Sequence, residues 1–213
     1  MKTEEIFNII GAIIILTVII GFVAPLTTTG EAIAKALLFA IIIILANVLV
    51  KKVVAYNLDA DVEHEIWKVS RYGWKPNHYF KREVPAGIIL PLFFALFSLG
   101  LFKFMALLTY ETRALTQRAA KRFGYYSYTE MTEWHNSLIG AAGIIAVLLV
   151  SLISYFSPWS NEILWRMASF YAFFNMLPLS KLDGTQIFFG SRVLWSALAI
   201  ITFIFTSYAL FLP

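Results

Sequence analysis

Ala32-Ile33-Ala34-Lys35-Ala36-Leu37-Leu38-Phe39-Ala40-Ile41-Ile42-Ile43-Ile44-Leu45-Ala46-Asn47-Val48-Leu49-Val50 is followed at once by Lys51-Lys52. A bilayer core takes about 20 apolar residues in helical form, and this stretch has that length. Runs at 6–25, 85–108, 137–156, 163–180 and 193–212 come close to it. The whole chain is 60% hydrophobic and 14% charged, with a mean hydropathy of +0.75. Soluble domains carry about 25% charged residues, and a chain this apolar would expose too much apolar surface in water. The polar residues stand in blocks between the runs, the pattern of spans separated by wet loops. The expectation is an all-α polytopic membrane protein, a single integral membrane domain over residues 1–213.

Other classes are set aside on composition. There are no cysteines, which excludes disulfides and thiolate metal sites. No repeat, low-complexity tract or nucleic-acid signature is present. Met1-Lys2-Thr3-Glu4-Glu5 is a weak basic n-region, and the run at 6–25 is long enough to span, so it reads as a retained helix.

The charges decide the topology. Residues 51–84 hold Lys51, Lys52, Lys68, Arg71, Lys75, Lys81 and Arg82, and residues 109–133 hold Arg113, Arg118, Lys121 and Arg122. If 85–108 crossed once, these basic segments would lie on opposite sides, against the positive-inside rule. Pro85, Gly87, Pro91 and Gly100 would help the segment dip in and return, and Lys103 suits a site near the surface. The reading is five spans and a re-entrant segment, with the N-terminus cytoplasmic and the C-terminus outside. A sixth plain span is the alternative. Asp59, Asp61, Glu63 and Glu65 alternate with other residues before Trp67, which suits a short strand or interfacial β-hairpin on the cytoplasmic face.

A second stretch carries the functional argument: Asn175-Met176-Leu177-Pro178-Leu179-Ser180-Lys181-Leu182-Asp183-Gly184. A carboxylate near the end of a membrane helix is expensive and marks a functional site. Pro178 would bend the helix, Gly184 would let the chain turn, and Asp183 would point inward at a helix break. A helix-terminal Asp with a Gly cap is the plain alternative.

This pattern, Asn-x-x-Pro-x-x-x-Leu-Asp-Gly, resembles the second signature of the site-2 protease family of intramembrane zinc metalloproteases. The match falls on Asn175, Pro178, Leu182, Asp183 and Gly184. The resemblance implies that Asp183 is a zinc ligand and that Asn175 helps to hold an extended substrate. The family's first signature is His-Glu-x-x-His, followed by Lys-x-x-Ala. Here Lys52 and Ala55 align, but Asn47, Val48 and Lys51 stand where the first His, the Glu and the second His belong. A helical His pair at i and i+4 binds zinc, with the Glu as general base. The middle signature keeps Ala142 and Gly143 but loses its Pro and Asn.

The resemblance thus implies a degenerate member, a pseudoprotease on a site-2-protease-like bundle. It would have no catalytic residues and no cofactor, and it would sit in membrane lipid, in a prokaryotic plasma membrane. It would bind a transmembrane or membrane-proximal protein partner and no nucleic acid. Because the two motifs converge in the family, Lys51 would pair with Asp183 and take over the structural part of the metal's role, with Asn47 completing the cluster. The alternative is a Lys51 that snorkels to the interface. Two functional alternatives stand beside this reading. One is an active metalloprotease with atypical zinc ligands, Asp183 with His64 or His78. The other is a structural subunit of a membrane complex.

Overall fold

The computed structural model describes residues 3–21, 30–71, 78–115, 131–157 and 162–211. These form helices α1 (Thr3–Gly21), α2 (Gly30–Asn57), α3 (Ala86–Phe97), α4 (Glu133–Phe156), α5 (Glu162–Met176), α6 (Asp183–Gly190) and α7 (Arg192–Phe211). Four strands are present: β1 (Ala60–Ile66), β2 (Val69–Arg71), β3 (Tyr79–Val84) and β4 (Leu108–Ala114).

Among the described residues four helices, α1, α2, α4 and α7, are long and apolar enough to cross a membrane. Their inner faces follow the helical repeat: Ile9, Ala12, Leu16, Ile19 and Ile20 on α1 pack into the same core as Ala40, Ile43, Ile44 and Val48 on α2. Their outer faces are also apolar. Phe7, Ile14, Leu38, Leu49, Ile200 and Phe203 are all exposed. Helices apolar all round are buried or face lipid, and these side chains are not covered by protein. This chain is a membrane-type helical protein.

The fifth expected span, 163–180, is shorter than its sequence suggested. α5 stops at Met176 after 15 residues, about 22 Å at 1.5 Å per residue. Pro178 has no amide hydrogen to continue it, and Ser180 takes a left-handed φ of 52°. Pro178 therefore terminates a helix and does not bend one. The first span is helical from Thr3 to Gly21, and residues 22–25 of the expected run lie outside the described residues. α2 continues beyond the apolar run at 32–50 to Asn57, so its last turns rise clear of that run.

The expected strand at the acidic alternation is present, and its pairing is long-range. β1 is the acidic alternation, with Val62 and His64 buried and Asp61 exposed. It does not pair with its neighbour in sequence. It pairs antiparallel with β4, from Ala60 opposite Ala114 to Ile66 opposite Leu108. β2 and β3 form a separate two-stranded hairpin.

This pairing fixes the path of 85–108. Trp67 N donates to Leu107 O at 2.9 Å, and Gly87 N donates to Trp67 O at 2.8 Å. The start and end of the segment thus meet at one residue. A Cβ at Gly87 would lie 2.3 Å from Leu107 O, so only glycine permits the closure. Between these points α3 spans only 12 residues. It ends in a Schellman pattern, with Gly100 N donating to Ala95 O at 2.9 Å and Leu99 N to Leu96 O at 3.3 Å. The chain then returns through buried Phe104, Met105, Ala106 and Leu107. A segment whose ends touch cannot be a sixth plain span. Lys103 is not at its mouth: its Nζ lies 5.2 Å from the centre of the Phe170 ring, midway along α5.

Because the chain has no cysteines, single cysteines can test this path. Residues 68 and 113 flank the excursion and are exposed. Lys68→Cys and Arg113→Cys are expected to react with an impermeant maleimide from the same side of the membrane. Labelling from opposite sides would contradict the closed excursion.

Candidate functional site

Asn47 and Lys51 are one helical turn apart and share a face of α2. That face meets α4 at Gly143, where a Cβ would lie 2.4 Å from Lys51 Cε and 2.9 Å from Asn47 Nδ2. Gly143 is therefore the space through which the lysine stem passes. The stem leads to Asp183, the first residue of α6. Lys51 Nζ donates to Asp183 Oδ2 at 2.6 Å, and both side chains are 1% exposed. The expected pairing of Lys51 with Asp183 is thus present in the structure, and Lys51 does not snorkel to the interface. Val48 packs in the hydrophobic core.

The helix break delivers Asp183 to this place. After Met176 the chain turns through Ser180, and Asp183 opens α6 with its carboxylate in the first turn, where the helix dipole favours a negative charge. Gly184 does not make the turn. It lies inside α6, and a Cβ there would stand 2.0 Å from Met176 O. Its role is to let α6 pack against the end of α5. Asn175 donates to Met105 O at 3.3 Å and to Tyr171 O at 2.8 Å. The backbone it holds therefore includes the chain's own returning segment.

Aromatic and polar groups enclose the pair. Lys51 Nζ lies 4.5 Å from the centre of the Tyr110 ring, a cation–π contact. The Tyr110 hydroxyl donates to Asn136 O at 2.7 Å. Burial, reinforced by the Asp183 carboxylate, pushes this phenol well above its usual range, so it remains a neutral donor.

A second pair lies beside the first, and the sequence reading missed it. Lys52 Nζ sits 2.8 Å from Glu5 Oε1 and 2.9 Å from Glu5 Oε2, and donates to Val62 O at 3.1 Å. Glu5 Oε1 also accepts from His64 N at 3.3 Å and lies 3.1 Å from His64 Nδ1. Consecutive lysines on α2 thus reach carboxylates on two different elements, α6 and α1. The available signal was a glutamate at the start of a span, on the same end of the bundle as Lys52. His64 is fully buried. Burial, and then the nearby Lys51 charge, hold its imidazole down to about 3, against the opposing pull of Glu5.

A cavity of about 480 Å³ runs along the edge of β4 that β1 does not use. Glu111, Thr112, Glu133, Lys181, Thr185 and Phe189 line it. Gln186 Nε2 donates to Tyr110 O at 2.9 Å, and Lys181 Nζ lies 3.6 Å from Glu111 Oε1. Thr109 Oγ1 donates to Lys181 O. The strand edge and the helix break are thereby tied together beside the buried pair.

These residues do not fit a zinc ion. The ammonium of Lys51 stands where a cation on Asp183 would sit. Asn47, Val48 and Lys51 supply no imidazole or thiolate. Among the described residues no group of three His, Cys, Asp or Glu side chains could hold a metal. His64 is engaged with Glu5, and His78 stands before β3 in the hairpin. Comparison with protein-family models, curated proteins and solved structures finds no match to this chain.

Two outcomes follow. Gly143→Ala is expected to cost about 1–3 kcal/mol through overpacking, read as a lowered unfolding temperature in detergent. Gly21→Ala, with nothing within 4 Å of its Cβ, is the control and is expected to be near neutral. For His64, the unfolded chain binds a proton below about pH 6.5 while the folded chain does not until about pH 3. Stability is therefore full above pH 6.5 and falls as pH drops from there toward 3. His64→Asn is expected to flatten this decline in a pH series of unfolding temperatures.

Proposed function

We propose that this chain is a non-catalytic, site-2-protease-like membrane protein that binds a transmembrane or membrane-proximal segment of a partner. The observation that carries this reading is the bond between Lys51 and Asp183. The carboxylate that would serve a metal is committed to an internal cation, and the position of the general base is Val48. Polarising a carbonyl or activating water needs an accessible Lewis acid or base, and the pair offers neither.

The binding half of the reading rests on the edge of β4. Among the described residues no strand pairs with this edge, and such an edge presents amide and carbonyl groups to which an extended segment can add. The adjoining cavity carries Thr185, whose Oγ1 is buried without a hydrogen-bond partner among the described residues, and Phe189 as an apolar contact.

In the bilayer we place α1, α2, α4, α5 and α7 as five crossings and 85–108 as re-entrant. The C-terminal part of α2, the N-terminal part of α4 and the break after α5 meet at one end of the bundle, and the positive-inside rule makes that end cytoplasmic. The N-terminus is then inside and the C-terminus outside.

Metal analysis of the purified protein tests the non-catalytic half: no stoichiometric zinc is expected. Zinc at one equivalent, lost on Asp183→Ala, would overturn it in favour of a metalloprotease with atypical ligands. For the binding half, photo-crosslinkers are placed at 112 and at 200, on the exposed face of α7. Protein adducts in native membranes are expected at 112, and adducts only at 200 would contradict the proposed edge.

A further inference from the structure

A second cavity lies at the opposite end of the bundle, where α4 and α7 end and α5 begins. It encloses about 430 Å³ and is walled by Ser151, Leu152, Tyr155, Trp165, Ile204 and Tyr208 among others. Along α4 its wall, from Ser151 to Tyr155, lies about 12 to 18 Å from Gly143, at 1.5 Å per residue. It is therefore separate from the Lys51–Asp183 pair and independent of the function proposed above.

We infer that this crevice is a binding site for one acyl chain of a membrane phospholipid. Its polar atoms are already satisfied. The Tyr155 and Tyr208 hydroxyls bond each other at 2.5 Å. Ser151 Oγ donates to Trp165 O at 2.9 Å and lies 2.8 Å from Ser169 Oγ. Water there would lack the two to four polar partners that hold a buried water. An unfilled apolar wall forfeits dispersion contacts, and Leu152 and Ile204 are exposed beside it. In a bilayer the medium at those side chains is hydrocarbon.

The shape and the charge select a lipid over a partner helix. One turn of helix with its side chains, roughly 10 Å wide and 5.4 Å long, already has about the volume of the crevice, so a helix would leave most of its length outside. An acyl chain is thin enough to enter lengthwise. On its wall, Tyr155, Trp165 and Tyr208 form a ring cluster with centroids 5.4 to 5.8 Å apart. Such rings favour the headgroup level. The Arg166 guanidinium lies 5.5 Å from the centre of the Trp165 ring and 2.6 Å from Glu162 Oε1. It stands with Glu162 as an ion pair next to Trp165, and the pair carries both charges of a zwitterionic headgroup.

Trp165 is only 6% exposed, which gives the test its edge. The full chain is reconstituted in phosphatidylcholine carrying a dibrominated acyl chain, and tryptophan quenching is compared with Trp165→Phe. If a chain enters the crevice, Trp165 is strongly quenched, and its removal lowers the quenched fraction. If the crevice excludes lipid, Trp165 is shielded, and its removal raises that fraction, which would overturn the inference. Leu152→Phe with Ile204→Phe, which fills the crevice, is expected to relieve the quenching of Trp165. Should Trp165→Phe fail to fold, native mass spectrometry of the detergent-extracted protein decides. Retained phospholipid in the unaltered chain, lost in the filled variant, supports the site. Equal retention in both, as for lipid or a partner helix bound elsewhere, refutes it.

Discussion

Lys51 and Asp183 are 132 residues apart in sequence and 2.6 Å apart in the fold. Neither charge can be buried alone at modest cost. An unpaired ion in a low-dielectric interior costs several kcal/mol, so each group requires the other. That requirement fixes the remaining geometry. α2 must end beside α4, Gly143 must be small, and α5 must stop so that Asp183 can open α6 inside the bundle. The Glu5–Lys52 pair repeats the logic one residue along α2 and ties α1 to the same end.

The excursion from Gly87 to Leu107 serves the same end of the bundle. Its closure at Trp67 sets β4 against β1, and β4 brings Tyr110 over the Lys51 ammonium. The returning strand also meets Asn175, which donates to Met105 O. The polar cluster is thus covered on this side by the chain's own backbone, one edge of which pairs with β1. The apolar crevice at the other end is built by different rules, from satisfied hydroxyls and exposed hydrocarbon.

Much of this was legible in the sequence because apolar length and charge placement are one-dimensional properties. The apolar helices α1, α2, α4 and α7 follow from them, as does a break in the pattern after Pro85. The pairing of Lys51 with Asp183 needed more: two distant motifs had to be read as meeting in space. What sequence reading missed is long-range and specific. The partner of β1 lies in β4, beyond the excursion, and no local pattern names it. Glu5 reads as a polar flank until Lys52 and His64 are seen around it. Gly184 reads as a turn residue, yet the turn is at Ser180, and the glycine serves a close contact with Met176 O.

The central claim is that an internal ion pair holds this scaffold together. A double-mutant cycle on Lys51→Met and Asp183→Asn, followed by thermal unfolding in detergent, tests it most directly. Each single substitution is expected to cost about 3–5 kcal/mol, as for buried pairs stripped of one partner. The double variant is expected to lose clearly less than their sum. Additive losses, or no loss on Asp183→Asn, would contradict the account.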